Sequence, residues 1–510
     1  MPEHIRALIA ILFISTFVFY YAQKAIGPML LPKEFSRWRN AWLAVTLLAF
    51  ISQNFWLFII LCSLFLLYMA KSEQNKFALY FAIILAIPII SARIPGLFDI
   101  NYARLLSLTL LLPIFISLKK NPDAPSLGKP LAEKFLLAYL LLNIILLMRG
   151  TTFTDSLRYG FYTFTDYFLP YYAASRAIKD FDQLKKVMIA FVLACLLVGA
   201  IGAFEFKKSW LLYSALTDSL HADWDMGTYL GRGSSLRALA SLGHSAVLGF
   251  IMMVGLGFYL FIAKSIKSNM LRLTGLGLIV AGLISALTRG SWVGTAILLL
   301  VFTAFGPKII RRFSLLGIST IIAIQALYWI PGGEKVINLM PFVGKVDKSN
   351  VDYREKLIDK SILVIQKYPL FGVFDARQEP EMEDMVQGQG IIDIVNTYLG
   401  VALGMGLVGL SLFLGFFALV LMNLRKSLKR IVDKKSEEYL CGRSLLATMS
   451  AVLFTIFTVS SIGILPNIYW ALAGLIFSYG RVTNLARNNE AGKIVVQNPV
   501  YPTYRLKSDA

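Results

Sequence analysis

Four arginines and three other polar residues carry the side chains that could do chemistry. Arg232, Arg237 and His244 fall within GRGSSLRALASLGHSAVLG. Arg289 falls within LTRGSWVG, Arg354 within NVDYREKL, and Asp393 and Asn396 within DIVNTYLGVALGMGLVGL. A guanidinium is a planar fork that pairs two oxygens of a phosphate at once. A histidine or carboxylate within reach of a hydroxyl can take its proton. The arginines are the parts of a site that holds an anion. Arg289 interrupts an apolar run from Thr274 to Phe305. As one helix that run would be roughly 50 Å long, too long for one crossing of a hydrocarbon core of roughly 30 Å. Two helices must therefore meet there, with Leu287–Gly294 as a hairpin tip. Gly290 would permit the turn and Ser291 would cap the second helix. Backbone N–H groups at that helix start, with the guanidinium, make an anion site. The plainer alternative is an arginine that anchors the hairpin among lipid headgroups.

The elements that must position these residues are apolar. Runs near 5–22, 41–70, 76–92, 101–118, 131–148, 157–177, 184–204, 241–263, 272–288, 291–305, 313–330, 395–423, 445–462 and 465–482 have the length or composition of membrane helices. The 41–70 run carries Gln53 and Asn54 near its middle, so it is one long helix or two. The expected fold is an all-α polytopic membrane protein with about 13–15 transmembrane helices. The runs do not alternate apolar and polar residues as a membrane β-barrel would.

Basic residues collect in alternate connections: Lys119 to Lys134, Arg176 to Lys186, Lys264 to Arg272, Lys308 to Arg312, and Arg425 to Lys435. That bias assigns these loops to the cytoplasmic side. The connections 205–240 and 331–394 then face outward. Residues 1–482 form a single membrane domain, and 483–510 a cytoplasmic tail expected to be disordered. Within the larger outer loop, YREKLIDKSILVIQKYP places Leu357, Ile358, Ile362 and Ile365 at helical spacing, with Pro369 as the stop. It predicts an amphipathic helix on the outer membrane face. EPEMEDM reads as a solvated turn.

Composition sets the same bounds. Of 510 residues, 57% are hydrophobic and 16% charged, and the mean hydropathy is +0.66. The net charge of +20 sits in short loops between apolar runs, which marks membrane topology rather than a nucleic-acid face. Cys62, Cys195 and Cys441 are far apart, so neither a disulfide framework nor a zinc site is indicated.

In order and spacing, GRGSSLRALASLGHSAVLG, LTRGSWVG, DYREKLIDKSILVIQKYPLFGV and VNTYLGVALGMGLVGL resemble the O-antigen ligase and O-antigen polymerase-like membrane proteins, over about residues 150–480. The resemblance implies an integral glycosyltransferase of the GT-C type in the bacterial inner membrane. Its donor would be a glycan on undecaprenyl diphosphate at the periplasmic face. Its acceptor would be another glycan or a lipid, and no metal, nucleotide sugar or other cofactor is implied. Arg289 and Arg354 then become the foremost diphosphate contacts, followed by Arg237 and Arg232.

One position departs from the pattern. Ligases of this family carry His-Asn after the large loop, and here Val395-Asn396 stands in that place. The base that activates the acceptor must then be sought in His244 or Asp393, beside Asn396. The departure favours a polymerase-like or exopolysaccharide protein over a lipid A–core ligase. It also keeps a non-catalytic assembly protein in view. A transporter or flippase of lipid-linked glycans is a further alternative, for which broken helices or two related halves would speak; the sequence suggests neither. Asp223-Trp224-Asp225 has the form of a D-x-D motif, with no nucleotide sugar to serve in an outer loop. Arg158 and Asp166 are membrane charges expected to be functional or paired.

Overall fold

The computed structural model describes residues 1–73, 75–122, 124–221, 231–232, 235–329, 337, 348–387 and 390–497. The Asp223-Trp224-Asp225 motif lies outside them. So do most of 331–347 and the tail from residue 498.

The first helices are α1 (Glu3–Ala25), α2 (Pro32–Ser52) and α3 (Phe55–Ser72). The long 41–70 run is thus two helices. Gln53 turns into the left-handed region at φ 49°, and the Asn54 side chain accepts from the N–H groups of Trp56 and Leu57 at 2.9 and 3.1 Å. An asparagine at this position satisfies N–H groups that the new helix leaves open.

The 76–92 run is not one span. Helix α4 (Lys76–Ile83) stops early, because Pro88 disfavours a helical conformation at Ile87 and has no N–H to donate. The chain continues into a hairpin of β1 (Ser91–Arg93) and β2 (Asp99–Asn101). Helix α5 (Tyr102–Lys119) contains a π turn at Ser107–Leu111. After α6 (Leu131–Leu147), helix α7 starts at Phe153, passes through a second π turn at Thr163–Phe168 and ends with Leu169–Arg176. The two membrane charges are paired. Arg104 bridges Asp166 at 2.9 Å and lies over the Tyr162 ring, while Arg158 pairs with Asp155.

The bundle continues with α8 (Phe181–Lys208), α9 (Ser245–Ile262), α10 (Asn269–Ser285), α11 (Arg289–Ala304) and α12 (Ile309–Trp329). It closes with α13 (Lys348–Lys367), α14 (Thr397–Arg430), α15 (Glu437–Thr455) and α16 (Leu465–Gln497). The tail expected to be disordered from residue 483 is therefore helical as far as Gln497. Helix α8 is the centre, buried along most of its length. A Cβ on Gly282 of α10 would stand 2.7 Å from the Gly199 Cα of α8. Small residues let these two backbones touch.

Among the described residues, five helices are long and apolar enough to cross a membrane, and three shorter apolar ones accompany them. The fold remains that of an all-α polytopic membrane protein.

The basic connections meet at one end, where Lys185 pairs with Glu437 and Lys264 donates to the Lys435 carbonyl. At the other end, the loop that follows α13 is stitched to α14. Gly406 leaves helical geometry at φ 65°, ψ −169°, so the N–H groups of Leu407 and Val408 reach the carbonyls of Pro369 and Leu370 at 2.8 and 3.2 Å. In return, Val373 N–H donates to the Leu403 carbonyl at 2.8 Å.

Helix α13 buries Leu357, Ser361 and Val364. Ile358 and Ile362, expected on the same face as Leu357, are exposed. The buried face packs on the loop's own Met382, Met385 and Ile392. EPEMEDM is a 3-10 turn, Pro380–Met385, rather than a free solvated tip. Asp384 pairs with Lys360, and Glu381 with Lys367.

Candidate functional site

The Arg289 hairpin forms as expected but by different means. Helix α10 ends at Ser285, Leu287 takes the positive φ of 50°, and Arg289 is the first residue of α11. Gly290 is therefore inside the helix and does not make the turn. A Cβ there would fall on the Thr458 hydroxyl, so its smallness serves close approach. Ser291 does not cap either. Thr288 holds the cap position without a side-chain hydrogen bond. Its hydroxyl and that of Ser291 are buried with no partner among the described residues. Gly290→Ala is expected to push Thr458 away and cost about 1–3 kcal/mol of stability, as overpacking does. Thr458→Ala in the same chain should restore most of it. Thermal melting of the single and double variants checks this, and equal loss in both would contradict the contact.

Thr458 matters because its carbonyl accepts from Arg354 Nη2 at 3.2 Å. Arg354 projects from the first turns of α13 and is exposed. The charged groups acting on it are Asp393 and Arg289. Two helices far apart in sequence thus bring Arg289 and Arg354 to one place, with a carboxylate beside them.

Asp393 is held through its backbone. The Tyr353 hydroxyl donates to the Asp393 carbonyl at 3.0 Å and accepts from its N–H at 3.2 Å. Ser460 donates to the carboxylate at 3.4 Å. Burial raises the carboxyl pKa, and Ser460, Arg377 and Arg354 oppose that rise only in part. A raised pKa makes a carboxylate a better proton acceptor.

The other expected residues sit nearby in supporting places. Asn396 caps α14, its side-chain oxygen accepting from Tyr398 and Leu399 N–H at 2.9 and 3.2 Å. His244 caps α9, its Nδ1 accepting from Ala246 N–H at 3.1 Å. The Nδ1 lone pair is thereby occupied, leaving Nε2 as the proton-bearing nitrogen. Partial desolvation, and behind it the charge of Arg237, push its pKa down although the residue reaches solvent, so the ring is neutral at pH 7. Arg237 Nε donates to the Ala286 carbonyl at 3.5 Å, on the turn that leads to Arg289. Arg232 belongs to the short strand Gly231–Arg232, paired with Ser235–Leu236; its side chain lies outside the described residues.

A cavity of about 410 Å³ opens beside this cluster, lined by Tyr139, Asn143, Tyr167, Asn396, Ser461 and Tyr469 among others. Arg377 and Ser460 also line it, which joins it to Asp393. Aromatic faces, amides and hydroxyls in one cavity suit a neutral, many-hydroxyl ligand better than an apolar one.

Arg377, Thr458 and Ser460 escaped the sequence analysis. Arg377 lies in a one-turn 3-10 segment, Ala376–Gln378, and Thr458 and Ser460 lie in the α15–α16 connection, where no periodicity marks a face. Only the charge of Arg377 in an outer loop offered a signal.

A multi-pass helical membrane protein with arginines converging at one end of its bundle is the class so defined. Residues 274–414 match the O-antigen ligase family. That stretch contains Arg289, Arg354, Arg377, Asp393 and Asn396. It supports an O-antigen ligase-like membrane enzyme of glycan assembly. No curated protein matches the chain.

Proposed function

We propose that the protein transfers a glycan from undecaprenyl diphosphate to an acceptor hydroxyl at the periplasmic face of a bacterial inner membrane. The observation that carries this reading is that Arg354 and the Arg289 hairpin close on the same Thr458, Arg354 through its carbonyl at 3.2 Å and Gly290 against its hydroxyl, with Asp393 held by Ser460 two residues on. Arg289 and Arg354 bind the diphosphate, and Arg237 supports the turn that presents Arg289. Asp393 takes the proton of the acceptor hydroxyl as its oxygen attacks the anomeric carbon. The bond from that carbon to the phosphate oxygen breaks, and undecaprenyl diphosphate leaves as an anion. The arginines stabilise the charge that develops on it. The cavity beside Asp393 takes the acceptor sugar. His244 and Asn396 fix the helix starts around the site. Val395, in the place of a histidine, favours polymerisation or an exopolysaccharide product over ligation to lipid A–core.

Asp393→Asn tests the assignment. A general base works only when ionised, so activity should fall as pH is lowered through its raised pKa, above the ordinary aspartate value of about 3.9. The variant is expected to lose about 10²–10⁴-fold in rate and to lose that acidic limb. The measurement is transfer by purified protein in liposomes across pH. Wild-type rate with an unchanged profile would remove Asp393 as the base while leaving the arginine sites to their own test.

A further inference from the structure

The opposite, basic end of the bundle holds a second arginine cluster that the transfer reaction does not use. Helix α11 passes into α12 through Phe305 and Gly306. Arg443 of α15 reaches this turn, its guanidinium carbon 3.6 Å from the centre of the Phe302 ring. The residue is only 4% exposed. Its Nε is buried and has no hydrogen-bond partner among the described residues. Arg312, in the first turn of α12, comes to the same place. A Cβ on Gly306 would stand 2.6 Å from Arg312 Nη1 and 3.0 Å from Arg443 Nη1. Arg425 of α14 faces the same turn, over the Phe305 ring at 5.9 Å.

No carboxylate pairs with these arginines among the described residues. Glu437, on the same helix as Arg443, is engaged by Lys185 and Ser265. The charged side chain acting on Arg443 is Arg312, another cation. A buried guanidinium beside a like charge is costly unless an anion joins it. Two forks converging on one glycine match an anion with several oxygens.

We propose that Arg312 and Arg443 bind the phosphate of an anionic membrane phospholipid. The neighbouring surface favours a lipid over free phosphate. Next to Arg312, α12 exposes Ile309, Ile310, Phe313 and Leu315, a surface on which acyl chains can lie. Basic pockets between membrane helices recognise lipid headgroups in this way.

The test uses the full-length protein, delipidated in detergent and melted with added phosphatidylglycerol, diacylglycerol or inorganic phosphate. Wild-type protein should be stabilised by phosphatidylglycerol alone. Arg312→Gln and Arg443→Gln should each need about tenfold more of it, the loss of about one charge-assisted contact. Arg312 is half-buried, so its variant carries the test even if Arg443→Gln fails to fold. Equal response of wild type and Arg312→Gln overturns the site, as does full stabilisation by diacylglycerol. Full stabilisation by inorganic phosphate overturns the lipid as its occupant. None of these outcomes depends on the transferase reading.

Discussion

Arg354→Ala and Arg289→Ala each abolish surface polysaccharide while the protein is made and inserted at the wild-type level. Arg354 is exposed and Arg289 half-buried, so neither is a core packing residue. What is lost is a charged fork where negative charge develops on the leaving diphosphate. Removing one such donor typically costs about 10²–10³-fold in rate. Lysine at either position returns the charge without the fork, so partial recovery is expected. The checking measurement is a gel profile of lipid-linked and exported glycans in a deletion strain carrying each variant. A polymerase defect shortens the chains; a ligase defect leaves full-length polymer on its lipid carrier. Normal polymer in both variants would sink the enzymatic reading and return the assembly-protein alternative.

The second large effect is on stability. Glu133→Ala is expected to destabilise the protein by about 3–5 kcal/mol, because it strands a buried guanidinium. Glu133 at the start of α6 and Arg176 at the end of α7 have side chains only 2% exposed each. They pair through two contacts of 2.7 and 2.9 Å. The Tyr171 hydroxyl adds a bond to Glu133 at 3.1 Å, and Arg176 donates to the carbonyls of Pro125 and Ser126 at 3.1 and 3.3 Å. This network ties the start of α6, and the loop before it, to the end of α7, two helices that wall the cavity. Replacing both partners with leucine and methionine should cost much less than losing Glu133 alone, since no charge is then left bare. Melting of the solubilised variants decides it, and an unchanged melting temperature in Glu133→Ala would refute the network's role.

Much of the architecture was legible in the sequence because lipid imposes a simple rule. Long apolar runs must become helices so that every backbone polar group is satisfied. The Arg289 hairpin followed from length alone, and the outer helix stopping at Pro369 from apolar spacing and one proline. Where breaks depend on a single residue, the sequence was weaker. Gln53 and Asn54 marked a break without deciding it. Pro88 sits inside a run whose apolar composition alone reads as one span. The buried face of α13 was misjudged at Ile358 and Ile362, since several of its faces carry apolar residues.

The sequence by itself determined the class, the order of helices and the arginine types, because these rest on composition and local spacing. Only the tertiary structure decided which charges meet. Arg354 finds Arg289 and Asp393 through the α15–α16 connection, which supplies Thr458 and Ser460 and has no pattern of its own. Gly290 changed meaning for the same reason. Read along the chain it is a turn residue; in the fold it is the space that Thr458 occupies. Contacts between segments far apart in sequence depend on packing, and packing is fixed by the shape of what lies opposite.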